Sequence, residues 1–365
     1  MSNPPQFRPS PSNGLLTGRL GRVTRCAIAA AFALVSTFVH PPPALAAQQV
    51  TLMLNWLPGG AHVPFFYAHQ AGFYKRAGIE IEIQSARGSA GAIAALSQGK
   101  AHFVIAEAAE LFTEHANGLR VTGVMVYFSR SPNAVFTLKR PDISQLFDLA
   151  GKRIAAVRSS FSRFLFPALS AKGKIDLAKV HWQNLPPKSL LPALVRGKID
   201  AVASSTMVAY QYRTAAQKKG KRLFILPLAD AGVNPYSLIL ATSQEFIEKS
   251  SVLVRAFVRA TAQGTAAALE RPREALMAFL KVNPAALPAR VGAEWRVAHS
   301  LIYSPQSSGP GFGKFSHSRI EEMRNILARL QRLQTIPSTI GVYSNAFMPS
   351  IRPLPRFPKT TPPNP

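Results

Sequence analysis

From residue 48 the sequence alternates short apolar strands with helices, in two successive series. The first series contains QVTLMLNW, the helical stretch VPFFYAHQAGFYKRAG and the period-2 run IEIEIQSA. The second series begins at GKRIAAV and ends at IDAVASS. Strands that are separated by helices pair in parallel, because a crossover helix returns the chain in the same direction. The sequence therefore predicts an α/β protein with two units.

Two extended segments connect the predicted units. The strand at 134–138 leads from the first unit to the second, and NPYSLILATSQEF at 234–246 leads back. Two crossings of this kind are typical of a hinge between two lobes. The stretch 245–335 then shows apolar residues at helical spacing, and the proline-rich tail 352–365 is typical of a disordered terminus.

The segment 1–46 has the pattern of a secretory signal peptide. Basic residues without any acid come first, an apolar run follows at 26–39, and Ala44 and Ala46 supply the small residues that a signal peptidase recognises. The apolar run is shorter than the ~20 residues of a membrane-spanning helix. We therefore expect cleavage before Ala47 and export to the periplasm.

Composition argues against several classes of function. The net charge is +26, but the densest basic patch is the short segment 218–222, so nucleic-acid binding is not expected. Cys26 is the one cysteine of the chain and would leave with the signal, which removes disulfides, thiolate ligands and a cysteine nucleophile. The histidines do not repeat at the spacing of zinc ligands, so no metal site is expected.

Small and hydroxyl residues follow a strand at an equivalent place in each unit. The two segments are RGSAGAI at 87–93 and RSSFSRF at 158–164. Free backbone N–H groups at the start of a helix favour polar or anionic ligand atoms, although either segment alone is also typical of a plain turn. Their equivalent placement favours two ligand loops. Candidate ligand-binding residues there are Ser89, Gly91, Ser159, Ser160 and Ser162.

Further candidates lie at the ends of other strands, where open α/β sheets bind their ligands. Glu107 and Glu110 follow the third strand and share a helical face, either as ligand contacts or as a solvated first turn. The remaining candidates are Asn55, Trp56, His62, Ser205 and Tyr236.

Several segments in order carry a resemblance to a known family. LNWLPGGAHVPFFYAHQAGFYKRAGIEIEI, ALSQGKAHFVIA, DLAGKRIAAV, ALVRGKIDAV and YSNAFM resemble the periplasmic solute-binding proteins of ABC importers in the nitrate, sulfonate, taurine and thiamine-pyrimidine group. The resemblance implies the type II periplasmic binding protein fold, in which two lobes of mixed sheet and helices are joined by a two-strand hinge. Lobe one would combine 48–135 with 241–345, and lobe two would be 136–240.

The resemblance also implies a function without catalysis. A monomeric protein with no cofactor and no catalytic residues would capture a small organic solute by lobe closure and deliver it to an importer permease. Asn55 and Trp56 would then face the cleft, where Asn55 hydrogen-bonds the solute and Trp56 stacks on it. The solute is either a heteroaromatic compound like the thiamine-pyrimidine precursor or an anion like a sulfonate, taurine or nitrate, because hydroxyls such as Ser205 suit both.

Two other functions stay open. The turn after Asn55 is also similar to that of the fungal-type pyrimidine precursor synthases, in which a lysine holds pyridoxal phosphate and a histidine lies four residues later. Aligned on QGKAHFVIA, those two positions fall at Ala106 and Glu110, and the cysteines of the synthases are missing from this sequence. This departure disfavours the enzyme. A ligand-sensing receptor subunit is the other alternative, because sensing and transport use the same closure.

Overall fold

The computed structural model describes residues 47–158, 160–303, 311–329 and 338–351. The predicted signal peptide 1–46, Ser159 and the predicted tail 352–365 lie outside the described residues. The strands are β1 Gln48–Leu54, β2 Ile79–Ser85, β3 Phe103–Glu107, β4 Val121–Val126, β5 Asn133–Leu138, β6 Arg153–Ala156, β7 His181–Asn184, β8 Ala201–Ser205, β9 Leu223–Pro227 and β10 Leu238–Ser243. The α-helices are α1 Val63–Gln70, α2 Phe73–Arg76, α3 Ser89–Ser97, α4 Ala108–Ala116, α5 Phe161–Phe164, α6 Phe166–Ala171, α7 Pro187–Val195, α8 Ala209–Gln217, α9 Gln244–Glu270, α10 Pro272–Val282, α11 Pro288–Ile302 and α12 His317–Arg329.

The strands form two mixed sheets with the same pattern. The first sheet has the order β2-β1-β3-β10-β4 and the second has the order β7-β6-β8-β5-β9. In the first sheet β1 pairs in parallel with β2 and β3, whereas β10 runs antiparallel to β3 and β4. In the second sheet β6 pairs in parallel with β7 and β8, whereas β5 runs antiparallel to β8 and β9. The predicted α/β class with two mixed sheets is confirmed.

The two antiparallel strands are the crossings that the sequence predicted. β5 follows β4 of the first sheet along the chain but pairs within the second sheet from Asn133 onward. β10 follows β9 of the second sheet but pairs within the first sheet from Leu238 onward. The exact division into 48–135 plus 241–345 and 136–240 stays a prediction.

Each sheet has an apolar core on both faces, because successive strand residues point to opposite sides. In β3, Phe103 belongs to the core against α9 while Val104 belongs to the core against α12. In β8 the same alternation sends Ala203 to one face of the second sheet and Val202 to the other. Burial on both faces explains why these strands are apolar throughout.

The predicted helical stretch after 245 is confirmed for the described residues, which contain α9 to α12. Helix α9 lies on the first sheet, where the rings of Phe257 and Phe103 stack with centroids 4.0 Å apart. No helix of the described ranges is both long enough and apolar enough to cross a membrane.

Gly264 sets how closely α9 approaches α1. A methyl group added to Gly264 would lie 2.3 Å from the Cβ of Ala68. Gly264→Ala should therefore lower the free energy of unfolding by about 1–3 kcal/mol, because the two helices must move apart. Urea denaturation of both proteins measures the change.

Gly292 in α11 provides a matched control. A methyl group added there would lie 3.4 Å from the Cδ2 atom of Leu276, which is an ordinary contact. Gly292→Ala should be neutral or raise the free energy of unfolding by up to ~1 kcal/mol, since alanine favours a helix over glycine. Equal effects of the two substitutions would contradict the close packing of α9 on α1.

Candidate functional site

A cleft of about 550 Å³ lies where the carboxyl ends of strands from both sheets meet. The first sheet contributes the turn 55–62 after β1, Glu107 at the end of β3 and Ser237 before β10. The second sheet contributes Ser205 at the end of β8. Residues from 285–294, at and just before the start of α11, line one side. A solute in this cleft would contact both sheets.

Hydrogen bonds to its backbone carbonyls hold the turn 55–62 in place at both ends. The carbonyl of Asn55 accepts a hydrogen bond from the Gly88 N–H at 2.8 Å. At the other end, the hydroxyl of Tyr127 donates to the carbonyl of Ala61 at 2.6 Å. Since Tyr127 is fully buried, the core of the first sheet fixes the end of the turn.

Asn55 and His62 bind each other across this turn. The Nε2 atom of His62 lies 3.1 Å from Oδ1 of Asn55, and because an amide oxygen only accepts, Nε2 carries the hydrogen. Burial lowers the pKa of His62 to about 4, so the ring is neutral near pH 7. The Nδ1 atom has no hydrogen-bond partner among the described residues. The NH₂ group of Asn55 is the part of that side chain that can donate to a solute.

The mouth of the cleft is apolar. Trp56, Leu57 and Leu287 all line it, and their exposed fractions are 56%, 60% and 69%. Trp56 is therefore not a core residue. Exposed large apolar side chains that cluster at a cavity mark a surface that binds apolar matter, and the indole ring of Trp56 offers a flat face for stacking.

Glu107 is the acidic group of the cleft floor. Its Oε2 atom accepts a hydrogen bond from the hydroxyl of Ser237 at 2.8 Å. Burial raises the pKa of Glu107 to about 7, the Ser237 hydrogen bond opposes this shift, and the charge of Glu110 adds to it. Near neutral pH the carboxyl group is thus close to half protonated, and it can both donate and accept hydrogen bonds.

The other charged groups of the cleft neutralise each other. Among the described residues that line the cleft, Arg290 is the one that carries a permanent positive charge, and its Nε donates to Glu294 at 2.7 Å. None of these lining residues is a lysine. Ala106, at the position of the synthase lysine, is fully buried within β3. The cleft thus presents acceptors and a compensated ion pair rather than a free cation.

The structure brings together five of the eleven predicted ligand-binding residues and places most of the others elsewhere. The five that line the cleft are Asn55, Trp56, His62, Glu107 and Ser205. Ser89 supports the cleft from behind, because its Oγ accepts a hydrogen bond from the N–H of Glu107 at 3.0 Å. Gly91 lies in the first turns of α3 and is not among the described lining residues.

Three predicted residues belong to local structure outside the described lining of the cleft. Ser160 precedes α5 as its N-cap. Ser162 is buried, and its hydroxyl donates to Oδ1 of Asn133 at 2.6 Å. Tyr236 is buried, and its hydroxyl accepts from the N–H of Ser316 at 2.9 Å. Ser159 lies outside the described residues. A ligand contact of these four stays a prediction.

Sequence reasoning missed several residues that line the cleft. Ser237 was part of a predicted returning strand, and its position two residues after proline gave no sign of a polar partner. Leu287, Arg290 and Glu294 belong to a helical region that the periodicity assigned to packing. Their signal was weak because they reach the cleft through contacts between elements far apart along the chain.

The comparisons with known proteins assign the chain to a family. The NMT1/THI5 like family matches residues 60–275, which is more than half of the chain. This protein belongs to the NMT1/THI5-like family.

Two relatives of this NMT1/THI5-like protein differ in the role that their names give. The 4-amino-5-hydroxymethyl-2-methylpyrimidine phosphate synthase of Legionella pneumophila is 24% identical over 239 residues, which cover 65% of this chain and 74% of the relative. The formylaminopyrimidine-binding protein of Halalkalibacterium halodurans is 23% identical over 236 residues, which cover 64% of this chain and 71% of the relative.

A solved structure agrees with the fold. The periplasmic aliphatic sulphonate binding protein SsuA of Escherichia coli superposes with a TM-score of 0.61 at 15% identity, over 81% of this chain and 96% of SsuA. The periplasmic binding protein fold predicted from the sequence is therefore confirmed.

Glu107 should titrate near pH 7 in the folded protein. Since the unfolded chain releases this proton near pH 4.5, the folded state binds more protons between the two values. The stability that Glu107 contributes is full below pH 4.5 and is lost as the pH rises through 7. The ¹³C chemical shift of its carboxyl carbon, measured as a function of pH and assigned with Glu107→Gln, gives the midpoint of this titration directly.

Ser237→Ala is the matched variant for this titration. It removes the hydrogen bond that opposes the shift, so the midpoint of Glu107 should move to still higher pH. The free energy of unfolding of the wild type relative to Glu107→Gln should fall over the same interval of pH. A midpoint near 4.5 in both proteins would show that the carboxyl group is well hydrated and not desolvated by the cleft.

Proposed function

We propose that this protein is the extracytoplasmic solute-binding component of an ABC importer, and that it captures a small flat heteroaromatic solute by closing two lobes on it. The observation that carries this proposal is the cleft itself, which joins Trp56 and Glu107 of the first sheet to Ser205 of the second. A solute that bridges both sheets stabilises the closed state more than the open state, and this difference drives closure.

The polar groups of the cleft favour a hydrogen-bond donor over an anion. The carboxyl group of Glu107 accepts hydrogen bonds and becomes negative as the pH rises through 7. A sulfonate or nitrate next to it would meet like charge, and the guanidinium of Arg290 is already bound to Glu294. An aminopyrimidine offers N–H donors to Glu107 and a flat ring to Trp56.

The synthase alternative needs a group that holds pyridoxal phosphate. A Schiff base requires a lysine amine, yet the residues that line the cleft in the described ranges include none, and the aligned position is the buried Ala106. The residues present do not fit this cofactor. We therefore assign the protein to the binding members of the family and derive no catalytic step.

We further propose that the segment 1–46 directs export to the periplasm and that the mature, monomeric protein delivers its solute to a membrane permease. The binding-protein fold supports this assignment. A receptor subunit that senses the same solute would use the same cleft, and the two roles differ in whether a permease depends on the protein for uptake.

The probe 4-amino-5-hydroxymethyl-2-methylpyrimidine tests this function. At one hundred times its dissociation constant it should add about 2.7 kcal/mol to the stability of the folded protein, which thermal denaturation detects. Taurine and methanesulfonate should produce no shift, and the probe should be recovered unchanged after incubation with or without pyridoxal phosphate. Stabilisation by the sulfonates alone would support the anion alternative, and chemical conversion of pyridoxal phosphate would support the synthase.

Trp56→Ala examines the stacking surface in the same assay. The substitution should weaken binding of the pyrimidine by about 1–3 kcal/mol, the range for a base stacked on an aromatic side chain. It should leave the melting temperature of the solute-free protein nearly unchanged, because Trp56 is 56% exposed.

Trp182→Ala is the control, since the ring of Trp182, in β7 of the second sheet, packs edge-on against Phe166 of α6, with centroids 4.7 Å apart. It should lower stability without weakening the pyrimidine complex. If Trp56→Ala instead destabilises the solute-free protein and leaves the affinity intact, Trp56 is not the stacking surface.

A further inference from the structure

The turn that carries Trp56 lies directly on helix α11. The N–H of Gly60 donates a hydrogen bond to Oε2 of Glu294 at 3.1 Å, although the two residues are 234 positions apart. The side chain of Glu294 is 12% exposed. A largely buried carboxylate that accepts from a backbone N–H forms a strong, charge-assisted hydrogen bond. This bond connects the turn that follows β1 to helix α11.

The contact is too close for any side chain on Gly60. A Cβ atom there would lie 2.4 Å from the Cβ of Glu294 and 2.4 Å from the backbone N of Trp295. Gly60 begins the 3₁₀ turn Gly60–His62, so glycine is needed here for space rather than for a left-handed backbone. The backbone of the turn at Gly60 is therefore in direct contact with helix α11.

Helix α11 is a firm support. The side chain of Trp295 is buried, and its Nε1 donates to the carbonyl of Pro272 at 2.9 Å, which fixes α11 to the start of α10. The second oxygen of Glu294, Oε1, accepts from Arg290 one turn earlier at 2.7 Å. Both carboxylate oxygens are thus engaged, and the rotamer of Glu294 is fixed.

The exposed side chains of the turn do little to hold it. Trp56 and Leu57 are more than half exposed, so their burial contributes little to the position of the backbone. Between the ends held at Asn55 and Ala61, the carbonyl of Gly59 accepts from the N–H of His62 at 2.9 Å within the turn itself, whereas the Gly60 bond ties the turn to another element. A stacking surface that is fixed before the solute arrives binds more tightly, because less conformational entropy is lost on binding.

We propose that Glu294 is the positioning residue of the cleft, which holds the Trp56 turn on α11 through the N–H of Gly60. Its effect on solute affinity rests on the proposed function, whereas its effect on the turn concerns the solute-free protein. Glu294 also lines the cleft, so the experiment has to separate positioning from a direct charge contact.

Two substitutions separate these roles. Glu294→Gln removes the charge but keeps an amide oxygen that accepts from Gly60, whereas Glu294→Leu removes both. Glu321→Leu is the matched control, because Glu321 also forms an ion pair on one helix, with Arg324 at 2.6 Å in α12, and is not among the described residues that line the cleft.

The first measurement needs no solute. In Glu294→Leu, amide hydrogen exchange of Gly60 should be at least about tenfold faster, the expected result of losing one charge-assisted hydrogen bond. In proteins labelled with 5-fluorotryptophan, the ¹⁹F signal of Trp56, assigned among the three tryptophans with Trp56→Phe, should narrow. Glu294→Gln and Glu321→Leu should have nearly the same Gly60 exchange rate and the same Trp56 line width as the wild type. Unchanged exchange of Gly60 in Glu294→Leu would overturn the proposal.

The second measurement uses 4-amino-5-hydroxymethyl-2-methylpyrimidine and isothermal titration calorimetry. Glu294→Leu should bind it about tenfold more weakly because the turn must be ordered on binding, and Glu294→Gln should stay within about threefold of the wild type. If Glu294→Gln loses as much affinity as Glu294→Leu while its Gly60 amide stays protected, Glu294 is a direct contact and the positioning role is wrong. If the wild type does not bind the pyrimidine but Glu294→Leu frees the turn, the proposed function fails and the positioning role stands.

Discussion

The antiparallel pairing of β10 with β3 is the interaction on which the site depends. It places Leu238 opposite Glu107, and next to this pair the N–H of Ala108 donates to the carbonyl of Ser237 at 2.7 Å. The same register puts the hydroxyl of Ser237 on the Glu107 carboxyl group. β10 is also the strand by which the chain returns from the second sheet. The pairing of β10 with β3 therefore forms the cleft floor next to this crossing between the sheets.

The pairing also determines what closes the cleft. Helices α9 to α11 follow β10 along the chain, so they pack against the first sheet and bring Glu294 to the turn after β1. The chain as a whole carries a net charge of +26, but burial in the cleft leaves a neutral His62 and a partly protonated Glu107. The cleft therefore does not share the positive charge of the chain as a whole.

Local sequence was enough to predict the strands, the crossings and part of the site. Asn55, Trp56 and His62 lie within eight residues, and the strand before them is recognisable, so their place at a carboxyl end follows from the chain alone. Ser237 and Glu294 reach their partners across 130 and 234 positions. The first contact depends on which strands pair and the second on how a helix packs against the first sheet, and residue spacing encodes neither.

The hydroxyl residues show a different limit. Ser162 has the same appearance in sequence as a ligand-binding serine, yet it lies in α5 and its Oγ donates to Oδ1 of Asn133 and to the carbonyl of Ser204. The hydroxyl of Tyr236 likewise accepts a hydrogen bond from the backbone N–H of Ser316. The great majority of buried polar groups in proteins are hydrogen-bonded, and whether a hydroxyl pairs with its own fold or with a solute depends on the tertiary contacts around it.

Closure of the two lobes on a solute is the central claim, and small-angle X-ray scattering tests it most directly. Glu107 and Ser205 lie on different sheets, and we propose that a solute that engages both draws the sheets together. Scattering from the wild type should show a smaller radius of gyration with saturating 4-amino-5-hydroxymethyl-2-methylpyrimidine than without it. A radius that stays constant while calorimetry shows the site to be full would contradict the account.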